Sequence, residues 1–455
     1  MPRNPSVGSA GSVAASFVAG GRLKSDSLSA VFTPRPSPCP GLWRVVPAKD
    51  GGICRVKLPG GLLTSTQARA VVEVARTHAS GVLELTNRSN LQIRGVREAC
   101  QGALVQQLLD AGLGPRHADA DDVRNVLISP AAGRDPAAHL DTRPLAEQLL
   151  ALLQDVPAFR ELSPKFAVQL DGGEALAMLD HPHDIWLRAL PGGTQLAFGL
   201  AGCPRGDVLG VVAVDQAVQL VEALLHLFLQ LAGEHTRLRQ LLAELPAQAF
   251  LSRLPSVFQR ATPGFTSPAT EGVPLGVHAQ AQPGRVMLLA GAPLGRLQAE
   301  QLQALADLAE TEGSGELRLT PWQGVLLPDV PAERQAAVTQ AMSDLGLLLD
   351  TRAPLARLLA CSGSAGCAKA AADTKADALR LAKRLGPNGP TQVHLSGCPR
   401  SCAAAHVAPY TLLAQPGGRY DLYRREQGQA GFGRLLATSL DIDQAGEYLA
   451  AGNSE

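Results

Sequence analysis

The apolar positions of this chain fall into a series that occurs twice. Between Arg55 and Gly95, Val56 and Leu58 alternate with polar residues up to a Pro59-Gly60-Gly61 break, and a helical spacing through Val71 and Val74 follows. Strand-like runs at Val82-Leu83-Glu84-Leu85 and Leu91-Gln92-Ile93 complete the unit. From Arg285 the order returns: Val286-Met287-Leu288, a Gly/Pro turn from Gly291 to Gly295, a helical pattern from Leu297 to Ala309, then Leu317-Arg318-Leu319 and Val325-Leu326-Leu327. One gapless offset, 319 − 85 = 234, lays Leu85-Thr86 on Leu319-Thr320 and holds from Val56 to Val96. Each copy reads as strand, helix, strand, strand, helix, an α+β half-domain.

A second kind of segment follows each copy. After the first come Asp122-Val123-Arg124-Asn125 and Pro164-Lys165-Phe166. After the second come Leu355-Ala356-Arg357 and Gln392-Val393-His394. The expected organisation is a disordered tail at 1–36, a ferredoxin-like half-domain at 37–115, a cluster-free ligand domain at 116–260, a second half-domain at 275–350 and a cluster-binding α/β domain at 351–450. The halves are expected to pack about a pseudo-twofold axis, so that a ligand between them touches both. Along Ala217 to Leu231, the stripe Leu220, Leu224, Leu227 and Leu231 is interrupted by Gln219, Glu222, His226 and Gln230. That predicts a core helix, too short and too polar to span a bilayer.

Composition narrows the partners. Forty-one basic residues balance 41 acidic ones, so no global field draws nucleic acid or a membrane surface, and any anion site must be local. Aromatic residues at 4% are too few for stacking on single-stranded nucleic acid. The apolar stretch from Val13 to Val18 is broken by Ser16 and is too short for a leader, so a cytoplasmic location is expected.

The chemistry concentrates in four of the eight cysteines: Cys361, Cys367, Cys398 and Cys402, spaced C-x5-C-x30-C-x3-C. The first pair lies in a small-residue loop. Pro399 after Cys398 predicts a helix start that would put Cys398 and Cys402 one turn apart. Four thiolates suit a [4Fe-4S] cluster. Tetrahedral zinc and a pair of disulfides are the competing readings. The remaining four, Cys39, Cys54, Cys100 and Cys203, read as single thiols.

These motifs resemble the superfamily of sirohaem-type sulfite and nitrite reductases, and within it the precorrin-3B synthases of aerobic cobalamin biosynthesis. The resemblance runs from about residue 37 to the end. It implies a [4Fe-4S] cluster on the four cysteines and a many-armed tetrapyrrole held by Arg55, Arg88, Arg124 and Lys165. Arg88 and Gln92 fit the family pattern Thr-x-Arg-x-x-x-Gln. Guanidinium groups offer paired donors to carboxylates, and several separate cations suit several acid arms. Lys57, Arg94 and Arg400 have only their nearness in sequence in their favour.

Sulfite-handling members carry a second lysine two residues after the one matching Lys165. Here that position is Ala167, and by strand alternation the pair would share one pocket. Cys39-Pro40-Gly41-Leu42 and Leu319-Thr320-Pro321-Trp322 resemble the precorrin-3B branch. Its implied reaction is oxygen-dependent hydroxylation and lactone formation on precorrin-3A, giving precorrin-3B, with dioxygen as co-substrate. The alternative is sirohaem-dependent nitrite or sulfite reduction.

The precorrin-3B branch also implies a non-haem iron. His181 and His183 with Asp180 or Asp184 are the densest candidate ligands, although a solvated hairpin end explains them better. His394 and His406 read as packed histidines near the cysteines. No phosphate-binding glycine motif follows a strand, so electrons are expected from an external reductase or ferredoxin.

Overall fold

A computed structural model describes residues 34–254, 273–386, 389–404, 408–426 and 431–451. Most of the expected tail, as well as His406, lies outside the described residues.

The two copies are interlocked. One five-stranded sheet runs Val46–Ala48, Gly51–Val56, Leu91–Val96, Val82–Leu85 and Arg296–Gln298; the other runs Gly276–Ala279, Arg285–Gly291, Gly324–Pro331, Glu316–Leu319 and Leu62–Thr64. Each sheet thus ends on a three-residue strand donated by the other copy. Leu63 faces Leu317 in one junction, and Leu297 faces Leu83 in the other. The offset of 234 relates the two junctions (297 − 63 and 317 − 83), which makes the arrangement pseudo-twofold. These short strands were not expected from the sequence, because three residues show no period and their partner lies more than two hundred positions away.

The helices repeat with the same offset: Ser65–His78 with Ala299–Glu312, and Gln101–Asp110 with Gln335–Asp344. Each donated strand ends on the residue that caps the next helix. Thr64 exchanges hydrogen bonds with Gln67 in a capping box, and Gln298 does so with Gln301. Close crossing demands glycine at one point: Gly61, at φ +68, lies where a side chain would collide with the Leu319 carbonyl. Leu63, Leu83, Leu297 and Leu317 are fully buried in one core that both copies share.

Each half continues into a second sheet. In the first, Val126–Leu127, Val168–Asp171 and His183–Ala189 are parallel neighbours, and Gln195–Gly202 and Gly210–Ala213 extend it antiparallel. In the second, Leu358–Ala360, Val393–Ser396 and Tyr410–Gln415 are parallel, followed by Arg419–Arg424 and Arg434–Leu440. The Ala217–Leu231 helix buries Leu220, Leu224 and Leu227 against the first of these sheets. Among the described residues no helix is long and apolar enough to cross a membrane.

Candidate functional site

Cys361 and the Gly397-Cys398 turn follow the ends of two adjacent parallel strands, the edge where α/β sheets gather ligands. The Gly397 N–H points at Cys361 Sγ at 3.2 Å, and the Thr374 hydroxyl lies 3.5 Å from the same sulfur. A Cβ at Gly397 would stand 2.6 Å from that of Ala370, so the loop requires a residue this small. The expected helix after Pro399 does not form. The chain makes a turn, with Ser401 in the left-handed region at φ 52, which interrupts the run before a second turn can close.

Burial, reinforced by the neighbouring Cys361, Cys398 and Cys367, raises the Cys402 thiol above its ordinary pKa. Four sulfurs close enough to repel as thiolates form a donor set that bound iron would compensate. No disulfide joins any of the eight cysteines. Four thiols gathered in one place with no disulfide among them make a donor set that fits a [4Fe-4S] cluster.

The first half keeps the scaffold without the sulfurs. The contact Ala371 N–H to Gly397 O (2.9 Å) has its counterpart in His139 N–H to Gly172 O (2.8 Å), with an offset of 371 − 139 = 232 between the donor loops and 397 − 172 = 225 between the acceptors. The donor-loop offset lays Ser129 on Cys361, Asp135 on Cys367 and Thr142 on Thr374.

Beside this site, Arg88, Asn90, Arg124, Asn125, Val126, Leu127, Ala167 and His183 line an open cleft. Arg88 lies on the tight turn between two strands of the first sheet, and Asn87 on the same turn reaches the Ala403 carbonyl beside Cys402 at 3.5 Å. Burial, with the Arg237 and Arg55 charges, brings the Arg88 guanidinium down to about 10. Its one side-chain hydrogen bond among the described residues goes to the Lys165 carbonyl at 3.3 Å. Arg55 joins the cleft to the cysteines. Burial lowers its pKa, the charges of Cys39, Cys402 and Asp121 work the other way, and its Nε is buried without a hydrogen-bond partner.

Arg124 lines the cleft but is largely engaged by the protein. It pairs with Asp121 at 3.0 Å and donates to the Leu113 and Gly114 carbonyls, leaving Nε without a partner. The Cys39-Pro-Gly-Leu stretch braces this pair: Leu42 N–H donates to Asp121 at 2.7 Å, and the Arg55 N–H donates to the Gly41 carbonyl at 3.1 Å. A Cβ at Gly41 would stand 2.7 Å from the Asp121 carboxylate. Lys57, on the same floor, donates to the Asp122 carbonyl at 2.6 Å, and burial brings it down to about 7.

Lys165 and Ala167 do not share a pocket through strand alternation. The strand begins only at Val168, so Lys165 sits on the preceding turn, exposed at the cleft margin, while Ala167 lines the cleft. The solvated reading of the histidine cluster also fails. His181, His183 and Asp184 are 2%, 3% and 1% exposed, because the strand they open is wedged between two others. His183 Nδ1 lies 2.9 Å from the His181 carbonyl, and burial, helped by the Arg88 charge, pushes the imidazole down to about 3. It is therefore neutral, and Nε2 is left as an acceptor. Asp184 is spent on Arg237 at 2.9 Å and on the backbone N–H groups of Ala167 and Leu238; Asp180 faces Arg205 at 3.4 Å. These residues do not fit as ligands of a mononuclear iron. His394 is buried on its strand, as a packed histidine would be.

Sequence reasoning left Arg94 undecided and passed over Glu84, Ser362 and Lys375. Arg94 is 2% exposed, forks onto Asp50 at 2.8 Å through two nitrogens, and reaches Glu84 at 3.1 Å and Ser362 Oγ at 3.0 Å. Arg94 falls on the face of its strand opposite the core-facing Leu91 and Ile93, so alternation alone marked it as solvent-facing and gave no signal of its burial against the second half.

A family model for the nitrite/sulfite reductase ferredoxin-like half domain matches residues 46–111 and 278–345, and one for the nitrite and sulphite reductase 4Fe-4S domain matches 119–260. The ferredoxin–nitrite reductase of Zea mays is 35% identical over 387 residues, covering 78% of this chain and 68% of its own length. This chain is a member of the nitrite and sulphite reductase family. It spans about two thirds of the length of the plant reductases it matches. A precorrin-3B synthase from Sinorhizobium sp is 27% identical over 393 residues, covering 85% of this chain and 83% of the relative. The fold is shared with Mycobacterium tuberculosis NirA protein, at a TM-score of 0.71 and 21% identity over 88% of this chain and 79% of that one. The family's 4Fe-4S domain match falls on residues 119–260, a segment whose one cysteine is Cys203; the four-cysteine set lies in the other half. The family carries a [4Fe-4S] cluster.

Proposed function

We propose that this chain binds a polycarboxylate tetrapyrrole between its halves, receives electrons from an external donor such as ferredoxin, and carries out the oxygen-dependent conversion of precorrin-3A to precorrin-3B. The observation that carries the reading is Ala167: the cleft wall has a methyl group where sulfite-handling relatives place a second lysine. With His183 neutral beside it, this wall supplies neither the extra charge nor the proton donor that anion reduction uses.

Each residue has a role in this account. Arg55, Arg88 and Lys165 take carboxylate arms, with Arg124 and Asp121 as a pre-set wall. His183 Nε2 accepts a hydrogen bond from the bound ligand. Cys361, Cys367, Cys398 and Cys402 hold the cluster, which when bound supplies electrons singly. No step is assigned to a mononuclear iron.

A second reading is sirohaem-dependent nitrite reduction. The nitrite reductase relatives reach 35% identity against 27% for the precorrin-3B synthase, so sequence likeness favours this reading over the first. The cleft and the fuller coverage of the synthase's length favour the first. Anaerobic purification followed by iron, sulfide and sirohaem assays on one sample separates them. Iron and sulfide without sirohaem supports tetrapyrrole oxidation; stoichiometric sirohaem supports nitrite reduction.

A further inference from the structure

The loop that presents Cys361 and Cys367 is held from the opposite half. Arg94 Nη1 donates to Ser362 Oγ at 3.0 Å and Nη2 to the Gly366 carbonyl at 3.4 Å, while Ser362 Oγ donates to Glu84 at 3.1 Å. Lys49 adds its Nζ to the Ser364 carbonyl at 3.0 Å. A Cβ at Gly366 would stand 2.6 Å from Arg94 Nη2, so the loop is cut to admit this guanidinium. Glu84 itself lies between three cations: Arg94 at 3.1 Å, Arg296 at 2.7 Å and Lys375 at 3.6 Å.

The cluster-free half has the converse joint. Arg134 takes the place of Gly366 (366 − 134 = 232) and reaches out of its loop to Asp329 at 2.7 Å and Glu316 at 2.9 Å on the other sheet. Two crossed joints thus tie each loop to the sheet of the other copy, and one of them touches cysteine-bearing backbone.

We propose that Arg94 and Glu84 are positioning residues for the iron-sulfur cluster, fixing its first cysteine loop from across the pseudo-twofold axis and setting its reduction potential by their charge. The proposal rests on the cluster assignment above. Removing the guanidinium leaves two carboxylates facing the loop and frees Ser362 and Gly366. Added negative charge disfavours the reduced cluster, and a loosened outer shell weakens metal retention. Neutralising Glu84 acts on the potential in the opposite direction.

The test uses full-length protein loaded with its cluster, compared as wild type, Arg94→Gln, Arg94→Lys, Glu84→Gln and Arg134→Gln. The readouts are the cluster midpoint potential, iron release to a chelator and thermal stability. Arg94→Gln is expected to shift the potential negative and speed iron release about 10-fold. Glu84→Gln is expected to shift it positive, and Arg94→Lys to recover the potential more fully than the release rate. Arg134→Gln, the internal control, should lose stability with both cluster readouts at wild-type values. Should Arg94→Gln not accumulate, the positive shift in Glu84→Gln carries the test. Equal cluster behaviour in Arg94→Gln and Arg134→Gln, or potential shifts of the same sign in Arg94→Gln and Glu84→Gln, overturns the proposal alone. A wild-type protein without a cluster overturns it together with the cluster assignment.

Discussion

Arg88 and Trp322 hold corresponding places in the two copies, 322 − 88 = 234, yet they do opposite things. Arg88 turns a cation into the cleft, while Trp322 packs against an apolar cluster of Ala131, Leu176, Met287, Leu289 and Leu326. The duplication is therefore structural, and its two faces differ in chemistry, one presenting a cation to an open cleft and the other an aromatic ring to an apolar cluster. Replacing Arg88 by Ala should weaken binding of a metal-free polycarboxylate porphyrin by about 10- to 100-fold, the worth of a charge-assisted hydrogen bond, in a fluorescence titration. Unchanged affinity would place the arms elsewhere.

Ala167→Lys tests the cleft wall. The new ammonium would lie beside Arg88 and His183, so affinity for nitrite should rise, while the bulk of a lysine in place of a methyl group should crowd the tetrapyrrole and weaken its binding. Isothermal titration with each ligand reads both.

Cys361→Ser should abolish the cluster absorption and the acid-labile sulfide. Cys100→Ser, on the Glu98–Cys100 turn outside the four-cysteine set, should leave both intact. Full iron content in the first variant would refute the ligand set.

His183 gives a pH dependence with a definite sign. Its folded pKa is about 3, against an ordinary value of about 6.5. Below pH 6.5 the unfolded chain takes up a proton that the folded chain refuses. Stability therefore falls between about pH 6.5 and 3, by at most about 1.4 kcal/mol per pH unit, and levels off below. His183→Asn should flatten that part of the curve in urea titrations at fixed pH.

Leu63 sits at 0% exposure on the strand donated to the other sheet. Leu63→Ala should cost about 2–5 kcal/mol in the transition that melts the two interlocked sheets, because both copies share one core. Hydrogen exchange that rises in one of these sheets with the other unchanged would contradict the interlocked fold.

Much of this was legible in the chain. The offset of 234 foretold both copies, and the Leu220, Leu224, Leu227 stripe foretold its helix, because those signals are periodic and local. What escaped depended on distant partners. Leu62–Thr64 becomes a strand only through Glu316–Leu319. His183 is buried only because Val168–Asp171 and Gln195–Gly202 flank it. The run after Pro399 carried a local helix signal that the left-handed Ser401 overrides. Arg124 shows the converse: the motif marked it for a ligand, and Asp121 has already claimed much of it.

The central claim is that the tetrapyrrole is the molecule transformed. The direct measurement supplies cluster-loaded protein, a chemical or ferredoxin reductant, precorrin-3A and ¹⁸O₂, and follows the product by mass spectrometry. The expected product has gained one ¹⁸O atom, and added nitrite yields no ammonia. Ammonia formation from nitrite, with the tetrapyrrole recovered unlabelled, would contradict the claim.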